Sequence, residues 1–367
     1  MDDDFLSVAV VGDVPDVGGG NDTPDEAPPR PLPERLEERR FRAGAKPVLA
    51  VPRYSIGETP ICTPGNITTI SALPKAGKTA FVEALMAAAM TPGGTSRSRP
   101  EQADCLGVNG RNQDGGALIH LDTEQSMVDH YSLVERAVPR ALLSEPPPWL
   151  LSYAMAGFAA VEARAAVRLL MEQGAASFGE LFAVLLDGVG DLVCDVNDPA
   201  ECNALVGELH SLAIKYNCPV VAVIHLNPGT EKTRGHLGSQ LERKGETNLR
   251  LEKEDEVVVV WGDKNRRAPI PKDDGPRFTW SAEKRMHVKV EESAGETKAV
   301  AERELLLAEA QSIFGAANKP ALRWGEMLAV LMTENKLSES GARKRMAKLM
   351  RGGVITKDVV GQWRVTP

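Results

Sequence analysis

Ile67-Thr68-Thr69-Ile70-Ser71-Ala72-Leu73-Pro74-Lys75-Ala76-Gly77-Lys78-Thr79-Ala80-Phe81-Val82 is the stretch that decides the fold. Its first six residues are β-branched or small and read as a buried strand, and its last three open an apolar helix. A bound phosphate chain needs backbone N–H groups turned inward and a helix N-terminus for its negative charge. It also needs one lysine for the outer oxygens and a hydroxyl for a divalent cation. Pro74, Lys75, Ala76, Gly77, Lys78, Thr79 and Ala80 offer each of these, with Thr79 as the metal-side hydroxyl. Ala72 stands where the pattern G-x-x-x-x-G-K-[ST] has its first glycine, which is tolerable only with φ below zero. Gly-Lys-Thr alone arises by chance. The strand before it and the helix after it give it weight.

Outward from this segment the chain alternates short apolar β-rich runs with helical stretches. Strands are expected at 67–72, 117–122, 181–187, 219–225 and 257–261, and helices at 79–90, 127–141, 158–173 and 199–216. That order predicts an α/β fold with a mostly parallel sheet. Three strands end in polar groups that such a sheet brings to one edge. Ile119-His120-Leu121-Asp122-Thr123-Glu124 places Glu124 where a carboxylate can activate water beside a terminal phosphate. Asp122 and Glu124 could instead cap the helix that begins near Ser126. Phe182 to Leu186 is a buried run ending in Asp187, the form of an Mg²⁺-binding aspartate. Val220 to Ile224 ends in His225, either a γ-phosphate sensor or a hydrogen-bonded core histidine.

Basic residues gather in three places. Lys232 to Ser239, followed by Arg243 and Lys244, reads as a glycine-broken loop, with Arg234, Arg243 and Lys244 facing phosphates of nucleotide or nucleic acid, or only solvent. Val257 to Trp261 runs into Lys264, Arg266 and Arg267 at a hairpin tip. Residues 319–367 carry ten Lys/Arg against four Asp/Glu, a net +6, whereas residues 1–30 carry eight acids and one arginine, a net −7. The overall charge of −8 is therefore not an argument against nucleic acid.

The first 45 residues, with Gly18-Gly19-Gly20, a proline cluster and the charged run 34–40, are expected to be largely disordered with one short helix. Residues 46–290 form the α/β domain, 291–320 a linker with a helix, and 321–367 a compact module. In that module Trp324–Thr333 and Ser338–Met350 read as helices, the second capped by Ser338. Two short strands follow, and helix, helix, ribbon is the order of the last part of a winged helix-turn-helix. Arg343, Lys344, Lys348 and Arg351 lie along its second helix, facing DNA or a protein partner. No apolar run approaches the roughly 18–20 residues of a membrane span. The acidic start is unlike a signal peptide, so a cytoplasmic protein without membrane contact is expected. Five cysteines without a CxxC pair fit reduced thiols.

The order of these motifs resembles the RecA-like P-loop ATPases, and among them the hexameric replicative helicases of the DnaB and plasmid RepA type. Pro74 to Thr79 and Leu121-Asp122-Thr123-Glu124-Gln125-Ser126 carry the resemblance, which spans about residues 47–290. It implies ATP and Mg²⁺ as cofactors, Lys78 and Thr79 on the phosphates and metal, Glu124 activating water, Asp187 on Mg²⁺ and His225 as sensor. It implies Lys264 and Arg266 as fingers reaching a neighbouring subunit's ATP, with Arg267 a substitute, in a homo-oligomeric ring or filament. It also implies a helicase or helicase-like motor of plasmid, phage or mobile-element replication, with single-stranded DNA on the core and duplex on the C-terminal module. A RecA-like recombination or repair ATPase and an ATP-switched DNA-binding regulator are the alternatives.

Overall fold

The computed structural model describes residues 31–45, 49–92, 103–227, 229, 232–290, 294–334, 336–358 and 361–366. The chain divides into two units, Met1–Leu49 and Ala50–Pro367. In the first, helix α1 spans Leu32–Glu38 and buries none of its residues. The rest of the expected disordered tail, residues 1–30, lies outside the described residues.

The second unit opens with strands β1 (Tyr54–Ile56), β2 (Thr59–Cys62) and β3 (Ile67–Ala72), then helix α2 (Lys78–Met90). Next come β4 (Val108–Gly110), β5 (Ala117–Asp122), α3 (Met127–Arg140), β6 (Leu150–Ala154), α4 (Ala160–Phe178) and β7 (Leu181–Asp187). The core continues through α5 (Pro199–Lys215), β8 (Val220–His225), α6 (Gly235–Lys244), β9 (Thr247–Glu254) and β10 (Val257–Asn265). It ends with β11 (Arg277–Ser281) and β12 (Met286–Val290).

Nine strands form one sheet in the order β12-β11-β10-β9-β3-β8-β7-β5-β6. Neighbours from β9 to β6 run parallel, and β10, β11 and β12 add on as an antiparallel edge. Strands β3, β5, β7 and β8 are buried on both faces and, apart from Phe182 and Ala183 at a register shift in β7, alternate between two cores, as the period of a strand requires. Leu118, Leu185, Val221 and Val223 point into the core under α2 and α3. Ile119, Val184, Leu186, Val220, Ala222 and Ile224 point into the core under α4, α5 and α6. Helix α2 is buried along nearly its whole length, with Thr79 the exception, which explains why it shows no amphipathic stripe. A small sheet in the order β2-β1-β4 stands apart from the large one, its β4 packed on α2.

Segment 232–244 departs from the sequence reading. Expected as a loop, it forms α6 from Gly235, because Leu237 and Leu241, four residues apart, are both fully buried. Strands β6, β9, β11 and β12 were not expected either.

Past the sheet come α7 (Ala294–Ala316), α8 (Trp324–Glu334), α9 (Glu339–Arg351) and a two-stranded ribbon, β13 (Ile355–Lys357) and β14 (Trp363–Val365). Ser338 caps α9, accepting from Gly341 N–H at 3.2 Å. The helix expected within a linker supplies Leu306, Ala310, Ile313 and Phe314 to the same cluster as Met327, Leu331, Met346 and Leu349. Leu322 forms an isolated antiparallel bridge to Trp363 of β14.

Candidate nucleotide site

Register places the polar strand ends on one edge. Ala72 pairs with His225, Asp122 with Asp187, and Asp187 with Val223. The chain leaves β3 at Ala72, turns through Lys75 at φ 62 and Gly77 at φ 80, and enters α2 at Lys78. Ala72 is not among the residues with positive φ, so no glycine is required there. Gly77 is required. A Cβ would stand 2.9 Å from the Phe278 ring, and its backbone is left-handed.

Lys78 is 7% exposed, and its Nζ lies 3.5 Å from the Leu73 carbonyl and 3.0 Å from His225 Nδ1. Burial lowers its pKa, against the pull of Glu124 and Asp187. An ammonium only donates, so His225 Nδ1 accepts and the ring carries its proton on Nε2. That Nε2 donates to Glu124, with Oε1 at 3.1 Å and Oε2 at 3.3 Å. Lysine, imidazole and carboxylate thus form one line across the tips of three strands. Glu124 sits on the exposed loop after β5 and leans against Gly188, whose backbone has φ 100. A Cβ at Gly188 would come within 2.6 Å of Glu124 Oε1.

Asp187 is buried at the tip of β7, and its carboxyl is pushed up to about 7 by burial first, then by the charges of Glu124 and Asp122, with Lys78 pulling it down. This excess of negative charge suits a divalent cation, with the Thr79 hydroxyl at the start of α2 as a second donor. Among the described residues no group of three or more His, Cys, Asp or Glu could hold a metal by itself. An Mg²⁺ here would take most of its ligands from phosphate oxygens and water. The folded value near 7 exceeds the ordinary 3.8. Asp187 therefore contributes stability that is complete below about pH 4 and lost as pH rises through about 7. Asp187→Asn, which cannot ionise, is expected to raise the urea midpoint of the metal-free protein at pH 8 and to raise it much less at pH 5. Equal changes at both pH values would refute the assignment.

The remaining predicted residues fall elsewhere. Asn265 pairs with Thr247, which pairs with Thr68, so Lys264 and Arg266 lie at the sheet edge opposite the loop 73–77. Lys264 Nζ donates to the carbonyls of Glu242 (2.8 Å) and Arg243 (3.2 Å), and Arg266 donates to that of Lys244 (3.2 Å), where α6 ends with open carbonyls. Arg267 donates to Thr63 Oγ1 at 3.2 Å and lies 3.8 Å from buried Glu246. None of the three reaches the phosphate loop of its own chain.

Arg243 and Lys244 are exposed in the last turn of α6. Arg234, at the start of that helix, lines a pocket of about 320 Å³ with Glu124, His225, Gly188, Asp191 and Asp195. On α9, Arg343, Lys344 and Arg351 are exposed and Lys348 is half-buried. Arg343 pairs with Glu339 at 2.8 Å. Of the cysteines, Cys194 alone is exposed, and all five are free. The sequence reading missed Gly188 and the partners of Asp122; Gly188 follows the Asp187 tip directly, which is a signal it could have used.

A phosphate loop leaving a central strand flanked by β8 and β9, with two acid-tipped strands beyond β8, is the arrangement the motif order implied. The core is an α/β fold on a mostly parallel sheet. Two solved structures similar to this chain are an ATPase domain and the RadB recombinase. The ATPase domain is 14% identical with a TM-score of 0.42, covering 62% of this chain and 86% of that one. The recombinase is 18% identical with a TM-score of 0.39, covering 63% and 93%. No family model matches the sequence, and no curated protein matches it. No helix among the described residues is long and apolar enough to cross a membrane.

Proposed function

We propose that the chain hydrolyses Mg-ATP at this edge and couples turnover to DNA, as a RepA-like helicase or helicase-like motor of plasmid, phage or mobile-element replication. The observation that carries the reading is the Lys78–His225–Glu124 line lying beside Asp187. Backbone N–H groups of Ala76 to Ala80 and the α2 N-terminus receive the phosphates. Lys78 exchanges His225 for phosphate oxygens. Thr79 and Asp187 would hold a Mg²⁺ ion, which would supply charge neutralisation at those oxygens. Glu124 accepts a proton from the attacking water, and His225, bonded to both Lys78 and Glu124, senses whether the outermost phosphate is in place.

Lys264 and Arg266 face away from their own site, which suits fingers that complete a neighbouring subunit's site in a homo-oligomeric ring or filament. Arg234, Arg243 and Lys244 offer cations to single-stranded DNA. Residues 46–290 act as the ATPase domain, and 321–367, reached through 291–320, as a winged-helix module. The order α7, Leu322 bridge, α8, α9, ribbon supports that reading, as do the exposed Arg343, Lys344 and Arg351 with Lys348 beside them. The basic end also favours a second reading, an ATP-switched DNA-binding regulator. Removing residues 320–367 separates the two. For a motor, ATP turnover stimulated by single-stranded DNA survives the deletion, while duplex binding in a mobility-shift assay is lost. Unstimulated turnover, together with duplex binding that persists in Lys78→Ala, overturns the motor in favour of the regulator.

A further inference from the structure

Behind Glu124 the fold threads four side chains into one line that the ATP reading leaves without a role. His120 and Ser152 are register partners on β5 and β6, and His120 Nδ1 lies 2.8 Å from Ser152 Oγ. Ser152 Oγ lies 3.2 Å from His130 Nε2, and His130 Nδ1 lies 3.2 Å from Asp122 Oδ2. Asp122 Oδ1 accepts the backbone N–H groups of Glu124 at 3.1 Å and Gln125 at 3.0 Å. The two imidazoles stack, with centroids 5.5 Å apart and planes 11° from parallel. His120 and Asp122 are fully buried and His130 is 6% exposed.

With both rings neutral, the proton directions follow from donor and acceptor chemistry. Asp122 Oδ1 accepts two N–H groups, and because an ionised carboxylate only accepts, His130 Nδ1 donates to Oδ2. His130 Nε2 then accepts from the Ser152 hydroxyl, whose oxygen accepts from His120 Nδ1–H. His120 Nε2 has no partner and is buried, which is cheaper for a bare lone pair than for an N–H group. Each link then carries one proton. Burial holds His120 down to about 4, with Asp122 opposing and His130 adding.

The end of this line is the peptide that carries Glu124. The exposed Glu124 carboxylate is held by His225 Nε2 at one end and by the position of its backbone at the other, and a misplacement of about 1 Å costs on the order of 100-fold in rate. Helix α3 does not need Asp122 for its cap, since Ser126 accepts from Asp129 N–H at 3.2 Å. We propose that His130, acting through Asp122, is a positioning residue that holds the Glu124–Gln125 backbone and so aims the Glu124 carboxylate. The proposal rests on the reading of Glu124 as the group that activates water.

The test is a double-mutant cycle on the full chain, with ATP hydrolysis followed under single-turnover conditions and affinity read from a non-hydrolysable ATP analogue. His130→Leu is expected to slow hydrolysis about 10- to 100-fold with affinity unchanged, and His130→Asn, whose amide N–H can replace the Nδ1 donor, to recover most of the loss. In a Glu124→Gln background, His130→Leu should cost nothing further. The same fold-loss in both backgrounds, or weakened affinity with an unchanged rate, overturns the proposal. If His130→Leu does not fold, Ser152→Ala runs the same cycle, and its smaller loss must also vanish with Glu124→Gln or the proposal fails. An unchanged rate in Glu124→Gln alone removes the base assignment itself. A collapsed rate there with an unchanged His130→Leu removes only the positioning role.

Discussion

Glu124→Gln is expected to lower kcat for ATP hydrolysis about 100- to 10,000-fold, the usual contribution of a general base, while ATP still binds. Glutamine keeps the length of the side chain and an oxygen that can accept from His225 Nε2, now 3.1 Å from Glu124 Oε1. What it loses is the ability to take a proton. Lys78, Thr79 and Asp187 are untouched, so affinity for a non-hydrolysable analogue should stay near that of the unaltered protein. Parallel losses of binding and turnover would place Glu124 among the phosphate-binding groups instead.

Arg140→Ala is expected to destabilise the protein by about 3–5 kcal/mol, the range for removing one partner of a buried ion pair. The Arg140 side chain is fully buried at the end of α3 and donates to Glu83 of α2 through Nε at 3.0 Å and Nη2 at 2.9 Å. The same guanidinium donates to the carbonyls of Asp104 at 2.6 Å and His287 at 2.8 Å, tying α2, α3 and β12 together. Arg136, at 3.0 Å from Glu83 and partly exposed, cannot replace those bonds. Without Arg140, Glu83 keeps a charge inside the core and two carbonyls lose their donor. A urea unfolding curve checks this, and a change below about 1 kcal/mol, the scale of a surface pair, would show that the cluster contributes little.

The phosphate loop was legible in the sequence because its chemistry is local. Gly77, Lys78 and Thr79 are consecutive, with a β-branched buried strand running into them and an alanine-rich apolar helix running out. The polar-tipped strands were legible for a related reason, since β5, β7 and β8 are buried on both faces and read as unbroken apolar runs. Strand β9, Thr247-Asn-Leu-Arg-Leu-Glu-Lys-Glu, was not, because it alternates with polar residues and is exposed at its end. In α6 the two glycines hid a helix whose only local sign is the Leu237/Leu241 pair. His130 could not be read at all. It is one polar residue in an amphipathic helix, and its partners Asp122 and Ser152 come from two neighbouring strands. The bond between Lys78 and His225 joins residues 147 positions apart, so only the sheet register reveals it.

Everything proposed for this chain depends on ATP being hydrolysed at the edge that carries Lys78, His225, Glu124 and Asp187. The most direct measurement is Mg²⁺-dependent phosphate release from ATP by the unaltered full chain and by Lys78→Ala, side by side. Steady turnover by the first and none by the second is the predicted result; turnover that Lys78→Ala leaves intact would contradict the account.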